Sequence, residues 1–236
     1  MMTMTRSVLT GLATLSFLGL SGAASAQSAF EPPEGCEGTV TVQHKSCLVA
    51  HIWQCEADDE GDQWIALFTV RGAFSVKKVD DEFQWLETYY ADPPRSELMQ
   101  PDAPDPASLT ELFETGFDSY DFTIDPGNGD PLNRIVGFDQ LTGDETVIDG
   151  EPLLNTEYGY EELDPEGEVT SRRAGRQYVS LKHRMFLLGE SWDRETPDQI
   201  FDARPVEFIY PGEAGFFSPI PKYDCPAIDA SFEVGQ

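Results

Sequence analysis

The chain has 236 residues, with 43 acidic side chains against 15 basic ones and a formal charge of −28. A surface this negative repels phosphate backbones and anionic bilayers, which excludes nucleic acid and membrane surfaces as partners. It does not argue equally for a cationic ligand, because the acids are scattered through turns and strand faces where solvation accounts for them.

Met1 to Ala26 reads as a secretory signal peptide: Arg6 supplies the basic start, Val8 to Leu20 the apolar centre, and Ala24-Ser25-Ala26 the cleavage site. Ser7, Thr10, Thr14, Ser16 and Ser21 interrupt the segment too often for a stable membrane span of about 20 apolar residues. The expected product is a single β-rich domain, residues 27–236, that is periplasmic or secreted. In such a compartment Cys36, Cys47, Cys55 and Cys225 favour two disulfides, and their spacing contains no CxxC pair. If Lys45-Ser46 is a two-residue hairpin tip, position 36 faces position 55. That register permits Cys36–Cys55, leaving Cys47 for Cys225. The pairing Cys36–Cys47 with Cys55–Cys225 remains open, and both tie the tail to the first hairpin.

In chain order, Thr39–Gln43 and Cys47–Glu56 predict that hairpin. Val49, His51 and Trp53 share one face of its second strand, and Leu48, Ala50 and Ile52 share the other. Both faces are apolar, which implies burial on both sides, or one face against core and one lining a cavity. Glu56–Asp62 is an acidic turn that departs from a calcium loop at Gln63 and Thr69. Strands follow at Trp64–Val70, Phe74–Val79 and Phe83–Tyr90. Ala91–Pro106 is Pro-rich and reads as an irregular crossing. Ala107–Thr115 predicts the one helix, with Ser108 and Glu111 at capping-box spacing and Gly116 to end it.

Phe117–Ile124, Arg134–Leu141, Glu145–Ile148, Leu153–Leu163 and Val169–Arg173 continue the strands. Asp125–Pro131 is a turn in which Asp125, Asn128 and Asp130 could hold a cation, though its Gly and Pro content suits a tight loop equally. Ala174-Gly175 is expected to turn into one long half-buried strand, Arg176–Trp192, with Val179, Leu181, His183, Met185 and Leu187 on a common face. Val206–Tyr210 is a last strand, and Pro211–Pro226 a Pro- and Gly-punctuated strap. Arg172, Arg173, Arg176, Lys182 and Arg184 gather positive charge, either to pair with Glu157, Glu161 and Glu162 or to meet an anionic headgroup.

The fold class is therefore all-β: an antiparallel β-meander of about eight to ten strands, strongly curved or closed as a barrel, with one short helix and the C-terminal strap. No catalytic motif, metal-ligand spacing or cofactor loop stands out, and no cofactor is expected. Curved exported sheets with aromatic interiors hold apolar or amphipathic small molecules, so the first functional expectation is a non-enzymatic binding or carrier protein. Its candidate ligand wall is Trp53, Trp64, Phe68, Trp85 and Tyr89, with His183 and Met185 from the long strand; core filling is the alternative role for all seven. A cell-envelope interaction domain and a hydrolase with an acid pair are the competing expectations.

Overall fold

The computed structural model describes residues 30–127 and 129–226. The signal peptide, the cleavage site and Asn128 lie outside them. The strands are β1 (Cys36–His44), β2 (Leu48–Cys55), β3 (Gln63–Thr69), β4 (Gly72–Val79), β5 (Glu87–Ala91), β6 (Pro94–Met99), β7 (Phe117–Asp125), β8 (Asn133–Ile148), β9 (Glu151–Leu163), β10 (Val169–Ser180), β11 (Met185–Asp193), β12 (Phe201–Asp202) and β13 (Pro205–Ile209), with helix α1 at Leu109–Thr115. All belong to one antiparallel meander in which β13 returns to pair with β1 and β12 pairs with β11. One short segment, Phe201–Ile209, therefore lies along both sheet edges.

Cross-strand partners define a continuous concave face. One row across it is Val42, Ala50, Leu67, Ser75, Tyr90 and Arg95; the next is Ile52, Ile65, Lys77, Thr88 and Glu97. The β9–β11 end folds back over this face, packing Leu153, Tyr178, Met185 and Leu187 against Val40, Val42, Ala50, Ile52 and Phe208. The sheet is thus curled upon itself and not closed into a barrel. Three glycines in this half of the sheet each receive a ring from the neighbouring strand. Tyr120, Phe138 and Tyr158 lie directly opposite Gly137, Gly159 and Gly175, each one strand on. A Cβ on those glycines would sit 2.6, 3.1 and 2.4 Å from the facing ring, so each ring occupies its partner's missing side chain.

Helix α1 follows the expected signals. Ser108 caps it, its Oγ accepting the Glu111 N–H at 3.1 Å, and Gly116 ends it in the left-handed region at φ 84°. Seven residues are too few for a stable helix on their own. Leu109 and Leu112 supply the stability by packing on Val179, beside Phe83, Phe113 and Phe186. On the convex side the strap covers β1–β2. Phe217 and Phe216 pack over Val49, Trp53, Ala66 and Phe68, with Phe30 stacked on Phe217 at 5.7 Å. Both faces of β2 are covered, one by the curl and the other by the strap.

The bridges are Cys36–Cys55 and Cys47–Cys225. The first hairpin reaches its Cys36–Cys55 register by a different route from the expected one. Its tip spans three residues, with His44 opposite Leu48, and a bulge between Gly38 and Val40 restores Cys36 opposite Cys55.

Four expectations are corrected. Arg176–Trp192 is not one strand: Leu181–Arg184 turn the chain, and β10 and β11 form a hairpin with Val179 opposite Phe186. Val179 consequently faces α1, away from Met185 and Leu187. Arg184 takes φ 46° without a glycine, and the turn is held by distant groups: Gln63 Nε2 donates to the His183 carbonyl at 2.9 Å, and Arg184 Nε to the Asp81 carbonyl at 3.0 Å. Ala174-Gly175 lies inside β10, where Gly175 serves close approach and not a turn. Phe83–Tyr90 is extended only from Glu87, because Asp80 Oδ1 accepts the Glu82 and Gln84 N–H groups (3.1 and 2.8 Å) and folds residues 80–86 into a loop. Ala91–Pro106 contains strand β6, so the meander continues through the Pro-rich stretch and reaches thirteen strands.

Cys47–Cys225 closes a loop of 178 residues. Replacing both cysteines with serine should lower unfolding stability by about 3–5 kcal/mol on the chain-entropy argument. Denaturant titration under non-reducing conditions measures it, and an unchanged midpoint would mean that the strap is held without its covalent tie.

Candidate functional site

The concave face narrows to a cavity of about 230 Å3 where β2–β4 look across at β10–β11. Ile65, Leu67, Met185 and Leu187 supply its apolar floor and roof, and Phe83 and Trp85 from the 80–86 loop wall one side. That wall is fastened from two directions. Glu82 accepts hydrogen bonds from Ser108 Oγ (2.9 Å) and the Thr110 N–H (2.7 Å) at the start of α1, and from Arg184 Nη2 (3.0 Å) in the β10–β11 turn. A smaller annex of about 50 Å3 continues past Trp85 and Gln177 toward Tyr120, Phe122 and Asp139.

Among the residues lining the main cavity, Lys77 alone is formally charged. Strand parity points it inward between Ile65 and Thr88. Its Nζ lies 4.3 Å from the centroid of the Trp85 ring, a cation–π contact. Enclosure by surrounding protein lowers its pKa to about 8, with the field of Glu97 acting in the opposite sense. Its side chain is half-buried and lines the cavity. No carboxylate pairs with it among the described residues. Glu97 itself is engaged by Arg95 and by the Tyr90 hydroxyl (3.0 Å).

Behind the annex, Asp118 and Asp139 face each other across β7 and β8. Burial first, and their mutual repulsion second, raises Asp139 to about 7; burial raises Asp118 to about 6. Gln177 Nε2 donates to Asp139 Oδ1 at 2.8 Å, and the Ser108 N–H to Asp118 Oδ2 at 3.0 Å. Facing acids of this kind are what a glycoside hydrolase uses. The annex beside them is about 50 Å3, room for one or two waters.

The seven expected ligand residues do not form one wall. Trp53, Trp64 and Phe68 lie together on the convex side beneath Phe30 and the strap, where Trp53 and Trp64 also line an open trough of about 630 Å3. Trp85 and Met185 do meet, in the inner cavity. Tyr89 is exposed and bonds Glu87, and His183 sits in the β10–β11 turn against the Tyr210 hydroxyl at 3.1 Å. The other histidines are buried and held neutral, each lowered to about 4 by desolvation: His44 bonds the Ala203 carbonyl, and His51 bonds Thr41 between Phe30 and Phe217. Four of the five clustered basic residues are paired, Arg172 with Glu161, Arg176 with Glu157 and Glu190, Lys182 with Glu151, and Arg184 with Glu82, while Arg173 makes no ion pair among the described residues. Asp58 and Asp62 in the acidic turn are likewise bridged by Lys78, at 2.9 and 2.8 Å. Among the described residues no group of three metal-ligating side chains converges.

Sequence reading missed Lys77, Gln177 and Asp139. Alternation in β4 does put Ser75 and Lys77 on a common face, but polar residues at that spacing read as solvent-facing. Only the curl makes their side concave. Comparison with protein-family models, with curated proteins and with solved structures returns no match to this chain.

The Asp139 carboxyl keeps its proton in the folded state up to about pH 7, whereas an unfolded aspartate releases it near 3.9. The native state therefore binds more protons across that interval, and stability must fall as pH rises through it. Asp139→Asn should raise the thermal midpoint more at about pH 7.5 than at about pH 4.5. An equal effect at both pH values would contradict the raised carboxyl.

Proposed function

We propose that this chain is an exported, non-enzymatic binding or carrier protein for a small apolar or amphipathic molecule, held in the cavity between β2–β4 and β10–β11. The observation that supports this most directly is the cavity itself. It is lined by Phe83, Trp85, Met185, Phe186 and Leu187 and is walled by a loop tied to two other elements. A mostly apolar lining with a few polar groups, here His44, Ser75, Lys77 and Gln177, is the usual construction of small-ligand sites. At about 20–30 Å3 per non-hydrogen atom, 230 Å3 admits a ligand of about ten such atoms. Two disulfides fit the oxidising compartment in which an exported carrier would work.

The convex trough supports this reading less well. Although larger, it is open along its length, and its rim carries Glu31, Glu34, Glu56 and Asp58.

Native mass spectrometry of the purified protein should show a co-purifying species of that size, and decan-1-ol should quench or shift the fluorescence of Trp85. Ser75→Phe puts a ring into the cavity from β4 and should weaken decan-1-ol binding at least tenfold with the circular dichroism unchanged. Binding equally tight in this variant would place the ligand elsewhere.

A further inference from the structure

We infer that the ligand is an amphipathic anion: an apolar chain or ring of about ten heavy atoms ending in one carboxylate-type group, which pairs with the Lys77 ammonium inside the cavity. This rests on the carrier reading above and names the ligand's chemistry.

An ammonium partly withdrawn from water, as that of half-buried Lys77 is, favours an anionic partner. Lys77 stands on the inner face of β4 in a row that is otherwise Ile52, Ile65, Thr88 and Glu97, and no carboxylate bonds it among the described residues. Glu97, the acid whose field reaches it, is already bonded by Tyr90 and Arg95. The Trp85 ring at 4.3 Å compensates part of the charge from one side. Lys77 is also one of the residues that line the cavity.

Everything else that touches that space is apolar or neutral. His44 is held neutral by burial and bonded to the Ala203 carbonyl, and Gln177 is bonded to Asp139. A ligand filling the cavity therefore meets one positive group, the neutral polar side chains of His44, Ser75 and Gln177, and an otherwise apolar lining. A carboxylate there gains a charge-assisted hydrogen bond beside the Trp85 ring. A neutral head loses that term, and a cationic head meets repulsion.

The protein's overall charge sharpens the inference. With a net charge of −28, the general field favours cations and opposes anions. Preference for an anion must therefore come from a local group, and Lys77 is the one such group on the cavity wall.

Three probes with the same tail test this: decanoate, decan-1-ol and decylammonium, each titrated at neutral pH by calorimetry into the full mature protein stripped of bound material. Decanoate should bind about tenfold or more tighter than decan-1-ol, as a charge-assisted hydrogen bond implies, with decylammonium weakest. Lys77→Met should keep decan-1-ol binding and abolish the decanoate preference, while Lys77→Arg should retain the preference. If decan-1-ol binds and decanoate binds no tighter, or if the preference survives in Lys77→Met, the anion inference is overturned while the carrier reading stands. If none of the three binds, the carrier reading is overturned as well. Should Lys77→Met fail to fold, the ranking of the three probes on the wild-type protein decides alone.

Discussion

The close contact between an aromatic ring and a glycine on the next strand is the interaction on which this architecture depends. Tyr120 on Gly137, Phe138 on Gly159 and Tyr158 on Gly175 recur through four consecutive strands. In each, a ring anchored on one strand fills the space of the side chain missing from the next, Tyr120 and Tyr158 on one face and Phe138 on the other. The curl brings Leu153, Tyr178, Met185 and Leu187 over Val40, Val42, Ala50 and Ile52. The core and the cavity lie between the two ends so brought together.

Interior polarity is the second consequence. A curled sheet with one concave face turns every other residue of β4 to β10 inward, including residues whose type suits solvent. Thr88, Tyr90, Glu97, Asp118, Asp139 and Gln177 lie on that face by register. Most are accommodated by bonding one another. The Asp118–Asp139 pair is accommodated instead by raised proton affinity. Lys77 differs in having neither kind of relief apart from the Trp85 ring, and for that reason the functional argument centres on it.

How far the residues foretold this can be followed element by element. Period-two alternation located most strands, and the Ser108–Glu111–Gly116 signals located α1, because both are local and survive in any tertiary context. The two apolar faces of β2 were legible as well: the strap covers one, and on the other Ala50 lines the cavity. What failed was non-local. Leu181–Arg184 contains none of the usual turn residues, and the turn exists because Gln63, Asp81 and Glu82 bind it from elsewhere in the chain. Gly175 looked like a turn when judged by its neighbours, but its role is defined by Tyr158 on the adjacent strand. The aromatic residues were read as one ligand wall since their number was visible and their sidedness was not. In fact the strap claims Trp53, Trp64 and Phe68, and the cavity claims Trp85 and Met185.

Both borders of the sheet are met by Phe201–Ile209: β12 lies against β11, and three residues later β13 begins against β1. A chain emerging from its N-terminus can zip β1 through β11 in sequence, hairpin by hairpin. Until residue 209 has appeared, however, it carries two unpartnered backbone rims, the kind of surface that recruits other chains. Assembly of a single protected molecule is therefore a late event, set by the C-terminal quarter of the polypeptide. Truncation within that quarter would yield species that self-associate before they would simply unfold.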